Sequence, residues 1–410
     1  MIKISFLRKI IVLVWVILLS TTAVAQQTNV ISQRKAAKSL VHRIIPSKAS
    51  SFEVEIIPSA NGKDIFEIKS RGNKIILSGN NPVSIASALN WYLKYYCHCQ
   101  VSWNGDNLNL PNPLPRLKEK IRKKTSYDHR VYLNYCTFSY TMPWWTWKRW
   151  EREIDWMALH GINMPLAVTG QEAVWYNTLT HFRMNDQEIR SFLVGPAYFA
   201  WQWMSNIEGW GGPLPKSWID SHIELGQKIL ARERELGMTP ILQGFTGYVP
   251  KLLKTKYPEA NIKLKGDWFG LPPGSGQLDP LDSLFTKMGK IFLGEQTKLY
   301  GTNHYYAADP FHEGNPPIKG DEYLKAVGKK IYEVITDVDP EGIIAMQSWS
   351  LRKPIVEAIP EDKILMLDLN SSRWKKTDAF WGRPWLAGII HNFGGRTFIG
   401  ANLESYASMA

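Results

Sequence analysis

From Arg130 onward, short apolar runs alternate with amphipathic helical stretches, and this rhythm restricts the fold more than any other feature. The runs are Val131 to Cys136, Ile162 to Val168, Met238 to Phe245, His304 to Phe311, Ile343 to Trp349, Ile364 to Leu369 and Trp385 to Phe393. Between them, Trp147, Trp150, Ile154 and Met157 keep helical spacing, as do Ile219, Ile223, Gly226 and Leu230. Leu284, Met288 and Ile291 form a third such stripe, and Tyr323, Val327, Ile331 and Val334 a fourth. Strands that are apolar throughout are buried on both faces, as in a parallel sheet covered by helices. Repeated β-then-α units form either a doubly wound sheet or a (β/α)8 barrel. With no Gly-rich dinucleotide loop after the first run, the barrel is the expected fold. Pro165 lies inside the second run, where an interior strand needs its N–H, so a bulge or strand end is expected there. The count stops at seven. A closed barrel cannot omit a strand without exposing two edges, so the expectation is a TIM-like barrel incomplete at its C-terminus.

The preceding sequence has a different texture. Phe52-Glu-Val-Glu-Ile-Ile57 and Ile65-Phe-Glu-Ile-Lys69 alternate, Asn73 to Ser78 reads as a third strand, and Gly79-Asn-Asn-Pro82 breaks it. Pro82 then opens a helix to about Tyr96, with Ile85, Ala88, Leu89, Leu93 and Tyr96 on one face. Residues 26–110 are therefore expected to form a small α/β domain. The Pro-containing, basic stretch 111–126 reads as a linker, and 127–410 as the barrel. Lys3, Arg8 and Lys9 precede ten apolar residues, Ile10 to Leu19, and small residues follow to Ala25. That is the plan of a secretory signal peptide over 1–25, too short to span a bilayer comfortably, and it implies an exported protein.

Composition narrows the function classes. Apolar residues make up 44% and charged residues 21% of 410, which excludes a disordered or fibrous chain. The net charge of +12 falls to +9 without the three cations of the signal segment. This favours acidic partners only weakly. Tryptophan outnumbers phenylalanine, 18 to 15, and flat apolar faces with one polar edge suit sugar rings as well as cores. Cys97 and Cys99 are too close for a good bridge, and Cys136 stands alone, so buried free thiols are expected rather than disulfides or a zinc site.

In such barrels reactive groups project from the C-terminal ends of the strands. Those ends carry Asn134 and Cys136, Gln171 and Glu172, Asp309 with His312 and Glu313, Gln347 and Trp349, Asp368 and Asn370, and His391 with Asn392. The richest is Ala307-Ala-Asp-Pro-Phe-His-Glu-Gly-Asn-Pro-Pro317. A carboxylic acid on a Gly/Pro-rich loop after a buried strand is placed to give a proton to a departing oxygen, as glycoside hydrolysis requires. The bland alternative for Glu313 is a carboxylate capping the next helix, a task for which Asp321 is better placed. His304 and His312 lie at opposite ends of one run, which argues against a shared metal. Trp144, Trp145, Trp147 and Trp150 read partly as core. Trp201, Trp203, Trp210, Trp218 and Trp268 lie in loop-rich stretches and read as a sugar platform.

Several long motifs then resemble one family. Arg130-Val-Tyr-Leu-Asn-Tyr-Cys136, Trp147 to Met157, His160-Gly-Ile-Asn163, Gly170-Gln-Glu-Ala173, Gly195-Pro-Ala197, Gly237-Met-Thr-Pro240, Tyr300-Gly-Thr302 and His391-Asn-Phe-Gly-Gly395 are similar to the α-N-acetylglucosaminidases of glycoside hydrolase family 89. The resemblance runs from about residue 127 to the end, with a looser match over 26–110. It implies removal of a terminal α-linked N-acetylglucosamine with retention, by two glutamates and without metal or cofactor. The substrate would be a glycan of glycosaminoglycan or mucin type. Glu313 matches the general acid/base. Asn134, Cys136, Trp201, Trp268 and Trp349 match positions lining the sugar pocket, and His312 and His391 are expected to join them. His312 stands where the family usually has Asn. The family's nucleophilic Glu lies beyond His391 to Gly395, where this sequence offers only Glu404, so the chain resembles a C-terminally truncated member.

Three readings follow. The first is an exported exo-acting α-N-acetylglucosaminidase represented without its nucleophile. The second is a sugar-binding barrel that has lost the reaction. The third is an inverting or substrate-assisted hydrolase, but substrate assistance wants two adjacent acids, and Asp309 is four residues from Glu313.

Overall fold

The computed structural model describes residues 29–270, 274–369, 371–389 and Glu404. The chain divides into two compact units. One comprises the residues up to Arg130 with Glu151–Asn163 and Arg232–Met238, and the other comprises Val131–Trp150, Met164–Ala231 and the residues from Thr239.

The first unit contains a four-stranded sheet in the order Phe52–Ile56, Lys74–Gly79, Ile65–Arg71, Ile121–Lys124, the first pair parallel and the others antiparallel. Asn81 caps the helix Pro82–Tyr95 by accepting from the Ser84 N–H at 2.8 Å, with Pro82 at the first turn where no N–H is needed. Ile85, Ala88, Leu89 and Leu93 are buried, as their spacing requires, whereas Tyr96, expected on the same face, is the C-cap and only half-buried; the buried strand residues Ile68, Ile76 and Leu77 belong to the same unit. Cys97 and Cys99 are free, buried thiols, and burial raises the pKa of both. One expectation is corrected. Ile121–Lys124, placed in the linker, is an edge strand of this sheet. Its exposed basic side chains hid it, but Arg122 reaches Glu67 on the neighbouring strand at 2.5 Å, and Lys120 reaches it at 3.3 Å.

The second unit bears out the alternating rhythm. All seven apolar runs contain a strand, and the strands lie side by side in chain order. They are Val131–Tyr132, Met164–Pro165, Leu242–Gln243, Tyr305–Ala307, Ile343–Gln347, Ile364–Asp368 and Trp385–Ala387, every pairing parallel. This is the (β/α) barrel arrangement, with the helices Ser283–Tyr300 and Asp321–Thr336 among the crossovers. The strands are shorter than the runs because the apolar residues continue into the loops at their C-terminal ends. Pro165 is accommodated at a ladder end: its carbonyl accepts from Ile241 at 2.8 Å, and the next N–H toward that neighbour comes from Ala167.

Tyr323, Val327, Ile331 and Val334 are buried as read, each contributing roughly 1.5–3 kcal/mol. In Ser283–Tyr300 the buried face is Phe285, Met288, Phe292 and Leu293, one residue round from the stripe expected, because Phe285 and Phe292 pack on Phe245. No helix among the described residues is long and apolar enough to cross a membrane.

Glu233 lies in the segment Arg232–Met238, is 2% exposed, and has an Oε2 without a hydrogen-bond partner. Burial pushes its carboxyl up to about 8. A folded pKa above the unfolded value gives stability that is complete below the unfolded value, about 4.3, and is lost as pH rises through the folded one. Thermal unfolding followed by circular dichroism should show Glu233→Gln unchanged relative to wild type near pH 4. Its advantage should then grow toward pH 8 by up to about 1.4 kcal/mol per pH unit.

Candidate active site

The site forms where the fourth and fifth strands end. Their register pairs Ala307 with Ala345, so both chains leave the sheet at one level. The fourth continues through Asp309 to Glu313, the fifth to Trp349 and Ser350. Phe311 and Glu313 both have left-handed backbone, φ 58° and 45°, which turns the loop sharply about the buried His312.

Three N–H groups hold the Glu313 carboxylate. Oε2 accepts from Asn206 Nδ2 at 2.6 Å and Trp268 Nε1 at 2.9 Å, and Oε1 accepts from Trp349 Nε1 at 3.0 Å. The Glu313 N–H donates to Ser350 Oγ at 3.1 Å. The side chain is exposed. Its partners come from three excursions. Asn206 follows the short helix Phe199–Trp203, on which Trp201 packs edge-on to Tyr140. Trp268 lies between Ile262–Leu264 and Gly276–Leu278, two strands of the small antiparallel sheet that these form with Tyr248–Val249 after the third strand. Trp349 follows the fifth strand directly.

Two cations hold the peptide groups on either side of Glu313. Lys265 Nζ donates to the His312 carbonyl at 3.2 Å, and Arg352 Nη2 donates to the Gly314 carbonyl at 2.7 Å. Arg352 also reaches the Ser350 carbonyl at 2.9 Å and lies over the Phe311 ring. Burial lowers the pKa of Arg352 and brings Lys265 down to about 8, the latter against the attraction of Glu313. Burial also lowers the pKa of His312, which Lys265 lowers further and Glu313 opposes, so its ring is neutral near pH 7.

Of the residues expected here, Glu313, Trp268 and Trp349 come together directly. Cys136 is half-buried and close enough for the Glu313 charge to act on it. Asn134 caps the helix Tyr135–Thr141, its side-chain oxygen accepting from the Thr137 N–H at 2.9 Å. His391 and Asn370 lie outside the described residues. The broad tryptophan platform is narrowed. Trp218 stacks on His222 and donates to Glu172, and Trp203 stacks on Phe199. The strand-end acids are also sorted. Glu172 is buried, bonded to Trp218 and pushed up to about 7 by burial. Asp368 accepts from the backbone of Arg373 and Trp374, each at 3.0 Å. Asp309 accepts from the Gln347 N–H at 2.6 Å, and burial pushes it up to about 7. His304 is held by Asp339 at 2.9 Å, far along the strand from any shared site with His312. No group of three or more potential metal ligands occurs among the described residues. Asn206, Lys265, Ser350 and Arg352 were not anticipated. The one sequence signal for them is the presence of polar residues in Trp- and Gly-rich loops.

The sequence model described as "Alpha-N-acetylglucosaminidase (NAGLU) tim-barrel domain" matches residues 130–410, and that of the corresponding N-terminal domain matches 35–116. The chain belongs to the α-N-acetylglucosaminidase family. The human α-N-acetylglucosaminidase is 36% identical over 392 residues, spanning 90% of this chain and 53% of that protein. A family 89 glycoside hydrolase from Clostridium perfringens, solved with 2-acetamido-1,2-dideoxynojirmycin, superposes with a TM-score of 0.86 at 35% identity, over 90% of this chain and 43% of its own. The same hydrolase has been solved with GlcNAc-α-1,4-galactose, described as its substrate, and matches at 34% identity with a TM-score of 0.86 over the same shares. A family 20 β-N-acetylglucosaminidase from Vibrio harveyi, 9% identical with a TM-score of 0.52 over 87% of this chain and 55% of its own, shares the fold alone. The chain thus spans about half the length of the relatives it matches.

Burial, and secondly the Glu313 charge, push the Cys136 thiol up to about 11. The thiolate is the reactive form. Cys136 in the native protein should therefore react with iodoacetamide at pH 8 at least about 100-fold more slowly than free cysteine. Peptide mass spectrometry would follow the rate, and Glu313→Gln should increase it.

Proposed function

We propose that this chain carries the sugar pocket and acid/base of an exo-acting, retaining α-N-acetylglucosaminidase. One observation carries the reading: the three partners of the Glu313 carboxylate, Asn206 Nδ2 and the two indoles, are all donors. Indole and amide N–H groups cannot accept a hydrogen bond. A proton on Glu313 therefore has no acceptor among them and is directed to whatever oxygen enters the site. A glycosidic oxygen there would be protonated as its bond to the anomeric carbon breaks, and Glu313, now a carboxylate, would accept a proton from the water that releases the sugar. Trp268 and Trp349 would flank the ring, with Cys136 beside it.

Retention needs a second carboxylate about 5–5.5 Å away as nucleophile. Burial favours the neutral form of Glu172 and Asp309, and Asp368 is taken up by the turn that follows it, so we assign that role to none of the three. The same observation supports a second reading, in which this chain binds the sugar without turning it over. Beside Trp349 lies a cavity of about 450 Å3 lined by Ser348, Ser372, Arg373 and Lys376. The two cations that line this cavity with Trp349 favour an aglycone bearing carboxylate or sulfate, as in glycosaminoglycans, over a neutral mucin-type glycan. The signal-like residues 1–25 support action outside the cytoplasm.

Residues 26–410 are expected to bind 2-acetamido-1,2-dideoxynojirimycin in a calorimeter. Failure of a folded sample to bind would overturn the sugar-pocket reading. Turnover of 4-nitrophenyl α-N-acetylglucosaminide by the same sample would place the nucleophile within this chain, and binding without turnover would favour the second reading. In a turnover-competent form, Glu313→Gln should lower hydrolysis of GlcNAc-α-1,4-galactose at least about 100-fold. Undiminished hydrolysis would remove Glu313 from the acid/base role.

A further inference from the structure

Glu313 and Asn206 meet through a hydrogen bond of 2.6 Å, although 107 positions separate them in the chain. The residue before each is bound to the same ammonium. Lys265 Nζ donates to the carbonyl of His312 at 3.2 Å, to the carbonyl of Ser205 at 3.0 Å and to Ser205 Oγ at 2.5 Å. Its three protons are matched by three acceptors from two loops. The Ser205 carbonyl receives a second bond, from Ser275 Oγ at 3.1 Å, which fixes that side of the junction to the inserted sheet. On the other side the fit is close: a Cβ at Gly314 would stand 3.3 Å from Lys265 Cε.

We propose that Lys265 is a positioning residue for the acid/base: its ammonium staples the Glu313 loop to the Asn206 loop. The staple sets the distance across which Asn206 and Glu313 pair. Both loops need it for a local reason. Ser205, Phe311 and Glu313 all have left-handed backbone, at φ 66°, 58° and 45°, which side-chain-bearing residues hold only when their surroundings enforce it. Lys265 bonds to Ser205 itself and to the peptide between the other two. Arg352 donates to Gly314 on the Glu313 loop and to Ser350 on its own loop, and its hydrogen bonds do not include the Asn206 loop. The two cations therefore have separable effects. With the Lys265 pKa lowered only to about 8, the ammonium keeps its charge at neutral pH. The titratable groups facing it among the described residues are Glu313 and His312.

The catalytic part of this inference rests on Glu313 being the acid, whereas the structural part does not. The test therefore has two arms. In hydrogen exchange on residues 26–410, Lys265→Met should speed exchange about tenfold or more in peptides covering both 203–207 and 311–315. Arg352→Met should do so in the second peptide alone, and Lys265→Arg should restore part of the protection. Unchanged exchange in both peptides would overturn the staple. In a turnover-competent form, Lys265→Met should lose about 100-fold in kcat/KM on GlcNAc-α-1,4-galactose, whose leaving group needs a proton. The loss on the 4-nitrophenyl glycoside, whose leaving group needs none, should be less than about tenfold. Equal losses on the two substrates would reduce Lys265 to a general structural role. If Glu313→Gln still cleaves the disaccharide, the acid/base assignment fails, and the exchange arm still decides whether the staple exists.

Discussion

The parallel ladder between Tyr305–Ala307 and Ile343–Gln347 is the constraint on which the site depends. Because Ala307 faces Ala345, the two chains emerge together, and a loop of fixed length from each brings Glu313 within 3.0 Å of the Trp349 indole. A two-residue slip in that register would move one loop by about 6–7 Å along the strand axis and separate them. The register is held by burial: Tyr306, Ala307, Ile344, Ala345 and Met346 are all buried, so a shift of either strand would expose apolar surface. The geometry around Glu313 is a by-product of core packing a few residues away.

The same burial determines what each acid can do. Glu172, Asp309, Asp368 and Glu313 all lie at or just beyond strand ends. Glu172 and Asp309 are driven toward the neutral form by desolvation, and Asp368 is occupied by the turn that follows it. Glu313 is exposed and its carboxylate is held by three N–H groups, two indoles and the Asn206 amide nitrogen. A strand-end position is therefore insufficient to define an acid's role. What distinguishes Glu313 is that its loop carries it clear of the core before the side chain is fixed.

This explains which parts of the protein were legible in the sequence. The seven strands could be read because burial on both faces leaves an unbroken apolar run, and Glu313 because it follows one of them on a Gly/Pro-rich loop. The helix Ser283–Tyr300 was placed correctly, but its face was one residue out, since Phe285 and Phe292 are selected by Phe245, a contact no helical period encodes. Ile121–Lys124 was missed because an edge strand with solvated basic side chains has a linker's composition. Asn206, Lys265 and Arg352 were missed because their importance comes from contacts between loops far apart in sequence. Of the five loop tryptophans, Trp268 gives its N–H to Glu313, whereas Trp218 gives its own to Glu172.

Phe311 and Glu313, in left-handed backbone, have a further consequence. An L-residue held there gives up about 1–2 kcal/mol relative to glycine. A sequence selected for thermal resilience alone would place Gly or Asn at both positions and relax the turn. Glycine at 313 would remove the carboxylate, and glycine at 311 would remove the ring under Arg352 and loosen the approach to it. The acid loop is therefore a place where durability and aim compete, and this chain favours aim.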